Sequence, residues 1–125
     1  MLIEDKTLWL EALRSGKYSQ AFGFLKVQRE GKYHYCCLGV LCEILKDKYE
    51  IREGTNALTP GVTYFDCNSD ALSDKLIHTF KLVAYEVSNL YRMNDFDKLT
   101  FSQIADWIEA HVQVSPEATA ETTNA

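Results

Sequence analysis

Leu8, Trp9, Ala12 and Leu13 recur at the spacing of one helical face, Asp5 stands ahead of them as a cap, and Ser15-Gly16 supplies a stop. A short amphipathic helix is the first element predicted. Two aromatic-rich runs follow, Phe22 to Gln28 and Lys32 to Cys36, joined by Arg29-Glu30-Gly31, and they read as a β-hairpin with glycine at its turn. Two strands alone are marginal, so their apolar face needs a partner. Cys37 to Leu45 is the obvious one, because Leu38, Leu41, Cys42 and Leu45 share a helical stripe with Val40 and Ile44 beside it. This segment predicts a central buried helix ending near Lys46-Asp47-Lys48. Gly39 in its first turn lowers helix stability, which points to the close approach of another backbone or of a ligand.

Residues 50–72 are the least regular stretch, with Glu53-Gly54-Thr55-Asn56 and Thr59-Pro60-Gly61 as turns and Val62-Thr63-Tyr64-Phe65 as a short strand. Ser73 caps a short helix running to Phe80. The apolar run from Leu82 to Met93 fits helix and strand equally poorly, and its type stays open. Thr100-Phe101-Ser102-Gln103 is a capping box ahead of Ile104, Ala105, Trp107, Ile108 and Val112, which predicts a helix from about Phe101 to His111. Beyond Ser115-Pro116 the chain is small and polar with nothing to bury. The predicted architecture is α+β: one mainly helical domain over residues 1–114, with a β-hairpin or small antiparallel sheet packed on a central buried helix. Residues 115–125 are expected to form a flexible tail. No internal repeat is present.

Charge narrows the function. A formal net charge of −5 argues against a nucleic-acid backbone as the main partner, since neutralising phosphates takes a dominant basic surface. Arg14, Lys17, Lys26, Arg29 and Lys32 nevertheless fall in one short stretch, which leaves room for a phosphate-bearing small molecule. The first residues are acidic where a secretory signal would be basic, and no segment reaches the length of a membrane span. A cytoplasmic protein is expected, with no membrane partner and with four cysteines kept as thiols.

Candidate chemistry is sparse. Cys36, Cys37, Cys42 and Cys67 lack the paired spacing of a zinc site, and no metal or cofactor is expected. His34 lies two positions from Cys36, but activation of a thiol needs geometry beyond that spacing. Asp95, Asp97, Asp106 and Glu109 offer carboxylates with nothing to set their pKa values apart. Phosphate-binding loops, dinucleotide fingerprints, nucleophile elbows and metalloprotease motifs are absent from the sequence. These residues point away from an enzyme, and no catalytic residue is assigned.

Three blocks together carry a resemblance: Leu13-Arg14-Ser15-Gly16-Lys17-Tyr18-Ser19-Gln20, then Cys36-Cys37-Leu38-Gly39-Val40-Leu41-Cys42-Glu43, then Met93-Asn94-Asp95 with Phe101-Ser102-Gln103-Ile104-Ala105-Asp106. The combination resembles a family of small proteins encoded by tailed bacteriophages. The resemblance implies an accessory protein made in the infected bacterial cytoplasm, of a kind that counters host defence, in some cases by sequestering a nucleotide-derived immune signal. For such a ligand the residues offer Arg14 and Lys17 for phosphates, Tyr18 and Tyr35 for stacking, and Gln20, Asn94 and Asp95 for hydrogen bonds to base or ribose, with Gly39 permitting close approach. An inhibitor that binds a host protein is the alternative, and a small hydrolase using Cys36 or a carboxylate the third. Homo-oligomerisation stays open.

Overall fold

The computed structural model describes residues 1–114, so the tail expected over 115–125 lies outside the described residues. Helix α1 spans Ile3–Arg14 and buries Trp9 and Leu13. Its cap differs from expectation. The chain turns helical directly after Leu2, which contributes no side-chain cap, so Asp5 falls in the first turn and points inward. Its fully buried carboxylate accepts from Lys48 Nζ at 2.7 Å and from the Tyr49 hydroxyl. The Trp9 indole in turn donates to the Cys37 carbonyl at 2.9 Å, which ties α1 to the start of the central helix.

Five strands make one mixed sheet: β1 (Ser19–Gln20), β2 (Lys26–Arg29), β3 (Lys32–Tyr35), β4 (Glu53–Thr55) and β5 (Val62–Phe65), in the order β1-β3-β2-β5-β4. The hairpin is β2–β3. Its two-residue turn holds Glu30 at φ 53° and Gly31 at φ 77°, the mirror-image turn whose twist suits paired strands. The first strand begins at Lys26 rather than Phe22, because Gly23 at φ 82° breaks extended geometry just before it. Strand β1 runs parallel to β3, with Ser19 beside His34 and Gln20 beside Tyr35, and the remaining pairs are antiparallel.

Helix α2 (Cys37–Leu45) is the buried centre, with Leu38, Val40, Leu41 and Cys42 at 0 % exposure. Cys36 caps it, its Sγ accepting from the Gly39 amide at 3.3 Å. A methyl group on Gly39 would overlap the Leu25 carbonyl, so glycine here admits the neighbouring backbone. Ser73 caps α3 (Asp74–Thr79) through the Leu76 amide. The run that sequence left open is helical: α4 (Ala84–Tyr91) passes into a π-helical turn, Arg92–Phe96, and α5 (Phe101–His111) follows behind the expected capping box.

Strand register sorts the sheet into two faces. Lys26, Tyr35, Thr63 and Phe65 share one, and Tyr35 and Phe65 join the main core with the helices. Ser19, His34, Val27 and Val62 share the other, where Ala21, Val27 and Val62 form a small second cluster against Phe24 and Tyr64. Among the described residues no helix is long and apolar enough to cross a membrane.

Candidate functional site

The third block of the sequence is drawn into the second and first by one side chain. Asn94 sits in the π-helical turn at 1 % exposure, and its Oδ1 accepts from Gln20 Nε2 at 2.9 Å and from the Cys37 amide at 3.2 Å. Its Nδ2 donates to the Ala21 carbonyl at 2.9 Å and to Asp95 Oδ1 at 2.8 Å, while Gln20 Nε2 also reaches the Leu99 carbonyl at 2.8 Å. Asp95 Oδ1 accepts the Gly23 amide at 3.0 Å. The structure therefore brings Gln20, Asn94 and Asp95 together, with Gln20 Nε2 and both ends of the Asn94 amide occupied inside the protein. Asn94 in particular meets its full set of donors and acceptors and supplies the partner that an unbonded amide at the start of α2 needs.

The other residues singled out for a ligand are dispersed. Arg14 lies on α1 and pairs with Asp106 and Glu109 of α5, each at 2.8 Å. Gly39 is buried against Leu25. Tyr18 and Tyr35 meet edge to face at 5.3 Å on the core side of the sheet, with Tyr35 mostly buried. Lys17 is exposed, two positions ahead of Ser19.

Accounting for the cations separates those committed to the fold from those that are not. Lys26 is buried between Glu43 at 2.9 Å and Glu53 at 2.6 Å, and Lys46 contacts the same two carboxylates at 2.9 Å each. Burial alone would lower the Lys26 ammonium pKa, but the hydrogen bonds it donates to Glu53 and Glu43 outweigh that and hold the pKa raised. The Lys26 ammonium also lies over the Tyr33 ring at 4.5 Å. Lys48 is matched by Glu4 and Asp5, and Lys6 caps the end of α5 through the Glu109 and Val112 carbonyls. Among the described residues, Lys17, Arg29, Lys32, Arg52 and Lys98 also have no carboxylate partner, Lys98 lying over the Phe22 ring at 4.9 Å.

Three of these five, Lys17, Arg29 and Lys32, gather at one end of the sheet. Arg29 and Lys32 are direct cross-strand partners at the hairpin tip and so share the outer face with His34 and Val27. Because β1 is parallel to β3, Lys17 ahead of β1 stands at that same end. As ligand contacts, sequence reasoning passed over Ser19 and His34 on this face and Tyr64 further along it. A readable signal existed: a two-residue turn fixes the register, and the register puts Arg29, Lys32 and His34 on one face.

Reactive groups are quiet by comparison. Cys36, Cys37 and Cys42 are buried thiols; burial pushes the Cys36 pKa up to about 12 against the hydrogen bond from the Gly39 amide, and drives Cys37 and Cys42 well up as well. None of them supplies a thiolate near neutral pH. Among the described residues no group of three or more His, Cys, Asp or Glu side chains is arranged to hold a metal ion.

Residues 1–81, which hold α1, the whole sheet, α2 and α3, match a family model described as Domain of unknown function (DUF8296). No curated protein and no solved structure matches the chain significantly. The match takes in more than half of the 125 residues, and the chain belongs to the DUF8296 family.

Proposed function

We propose that this protein is a non-enzymatic binder of a small phosphate-bearing ligand of the nucleotide type, held on the outer sheet face at the hairpin tip. The observation that carries the reading is the Arg29–Lys32 pair. Like charges directly opposite on a hairpin destabilise it, and no carboxylate is paired with either, although the chain as a whole is acidic. A bound phosphoryl group relieves that repulsion and gains charge-assisted hydrogen bonds from both side chains. Together with the resemblance to phage accessory proteins, this supports sequestration of a nucleotide-derived immune signal in an infected bacterium. Calorimetry against cyclic dinucleotides and ADP-ribose derivatives tests it: stoichiometric binding with intact ligand recovered after denaturation is expected. Absence of binding across the panel, or recovery of a converted ligand, overturns it.

One observation favours a second reading, an inhibitor that occupies a host protein. Phe96 is 80 % exposed and Phe22 39 % exposed, and the Gly23–Asp95 hydrogen bond lies one residue from each. π-Helical turns are rare and recur at functional sites, and aromatic anchors dominate protein interfaces. Retention of one host protein by the wild type and its loss on Phe96→Ser support this reading; equal retention by both excludes that surface.

A further inference from the structure

Building on the phosphate-binding reading, we infer that the ligand is an elongated, amphipathic molecule: two or more linked phosphoryl groups on the hairpin tip, and a flat ring seated in a cleft beside Tyr64.

The polar end follows from spacing. The cationic positions belong to three neighbouring strands, β2, β3 and the approach to β1. Adjacent strands lie about 4.8 Å apart, so Arg29 and the β1 approach are separated by about 10 Å across β3. A single phosphoryl group has to draw all three side chains to one point, whereas linked phosphoryl groups engage them at the spacing of their own strands. Glu30, in the turn itself, leaves this end net positive. Ser19 and His34, neighbours in the next row of the same face, offer a hydroxyl and an imidazole to a bridging oxygen.

The ring end follows from what lies further along the strands. Beyond the cations the face turns apolar: Val27 pairs with Val62, and Phe24 and Tyr64 pack against the cluster these form with Ala21. Tyr64 also lines a cleft of about 370 Å³ with Arg52, Glu53, Gly54, Thr55, Asn56 and Cys67. Gly54 is the cross-strand partner of Tyr64, and the position its side chain would take is open space. Tyr64 is four residue steps along the strand direction from the Arg29 level, about 13 Å at the usual rise. That separation sets the length of the ligand, and the half-buried Tyr64 ring sets its flat, stackable character.

The test uses the full-length chain and four probes: inorganic phosphate, inorganic triphosphate, adenosine and ATP. Triphosphate is expected to bind at least tenfold more tightly than phosphate, and ATP at least tenfold more tightly than triphosphate or adenosine. The double substitution Arg29→Gln/Lys32→Gln should weaken triphosphate and ATP alike by tenfold or more. Gly54→Leu fills the cleft from an ordinary strand conformation, and it should reduce ATP to the affinity of triphosphate while leaving triphosphate within twofold. Amide chemical-shift changes on adding ATP, expected in β2, β3 and β5 and around Gly54, show where the probe sits independently of any variant. ATP binding unchanged by Gly54→Leu, or phosphate binding as tightly as triphosphate, overturns the elongated ligand and leaves the phosphate-binding reading standing. Failure of every phosphate-bearing probe, or shifts confined to residues away from the sheet, overturns both.

Discussion

Gln20 Nε2 donates to Asn94 Oδ1 at 2.9 Å, which joins the parallel edge strand to a π-helical turn 74 positions further along the chain. The same oxygen takes the Cys37 amide, so one side chain fixes β1, the start of α2 and the helix at the far end of the domain. Removal of Asn94 strands several buried groups at once.

Asn94→Ala is accordingly expected to lower stability by about 2–5 kcal/mol, since each buried donor or acceptor left unmade costs about 1–3 kcal/mol. Gln20→Ala should cost less, because Cys37 and Ala21 keep their Asn94 bonds. Urea unfolding of both variants measures the difference, and equal, negligible losses would show that the network contributes nothing.

Gly39→Ala meets the Leu25 backbone, which cannot swing aside as a side chain does. A loss of about 3 kcal/mol, the upper part of the usual overpacking range, is expected. A thermal midpoint equal to wild type would mean that α2 and the residue leading into β2 are not in contact at this position.

Leu41→Ala removes methyl groups from a fully buried site on α2. The expected cost is about 2–5 kcal/mol, from lost transfer energy and the cavity left behind. Calorimetric or chemical unfolding gives the value, and a neutral outcome would place this helix outside the core.

Thiol labelling should distinguish Cys67 from the other cysteines. Cys67 is exposed and the other three are buried, so native protein near pH 8 should release one equivalent rapidly and three more only on unfolding. Four fast equivalents would contradict the buried α2.

Alkaline titration follows from the same burial. The folded pKa of Cys36 rises from 9.0 to about 12, and those of Tyr49 and Tyr91 from 10.0 to about 12. Above pH 9 the unfolded chain sheds protons that the folded one retains, so their contribution is fully present below the unfolded values and is lost as pH rises through the folded ones. Unfolding free energy should fall steadily between about pH 9 and pH 12, and a flat profile there would contradict the buried thiols.

Local pattern made much of the fold legible. Helical periodicity gave α1, α2 and α5, a capping box marked the start of α5, and Glu30-Gly31 announced the hairpin turn. Long-range pairing was not legible, because β1 is two residues long and finds its register only against β3, and β4 exists only beside β5. Asp5 shows the same limit: its type suits a cap, yet its partners lie at Lys48 and Tyr49. For the candidate site, residue type identified Gln20, Asn94 and Asp95 as a polar group without showing that their bonds close internally. The cation count of residues 14–32 was visible, but which cations remain unpaired depended on Glu43, Glu53, Asp106 and Glu109, all distant in sequence.

The position of Asn94 also sets an order of events in folding. The β2–β3 hairpin and α2 are assembled from nearby residues and can form as soon as that stretch is available. The Cys37 amide, however, waits for a partner 57 positions downstream, and Gln20 for one 74 positions away. Contacts of such separation slow folding, because the intervening chain must be ordered before they add stability. The 1–81 stretch matched by the family is therefore one part of a cooperative unit, and on a ribosome its closure has to wait until the π-helical turn has emerged.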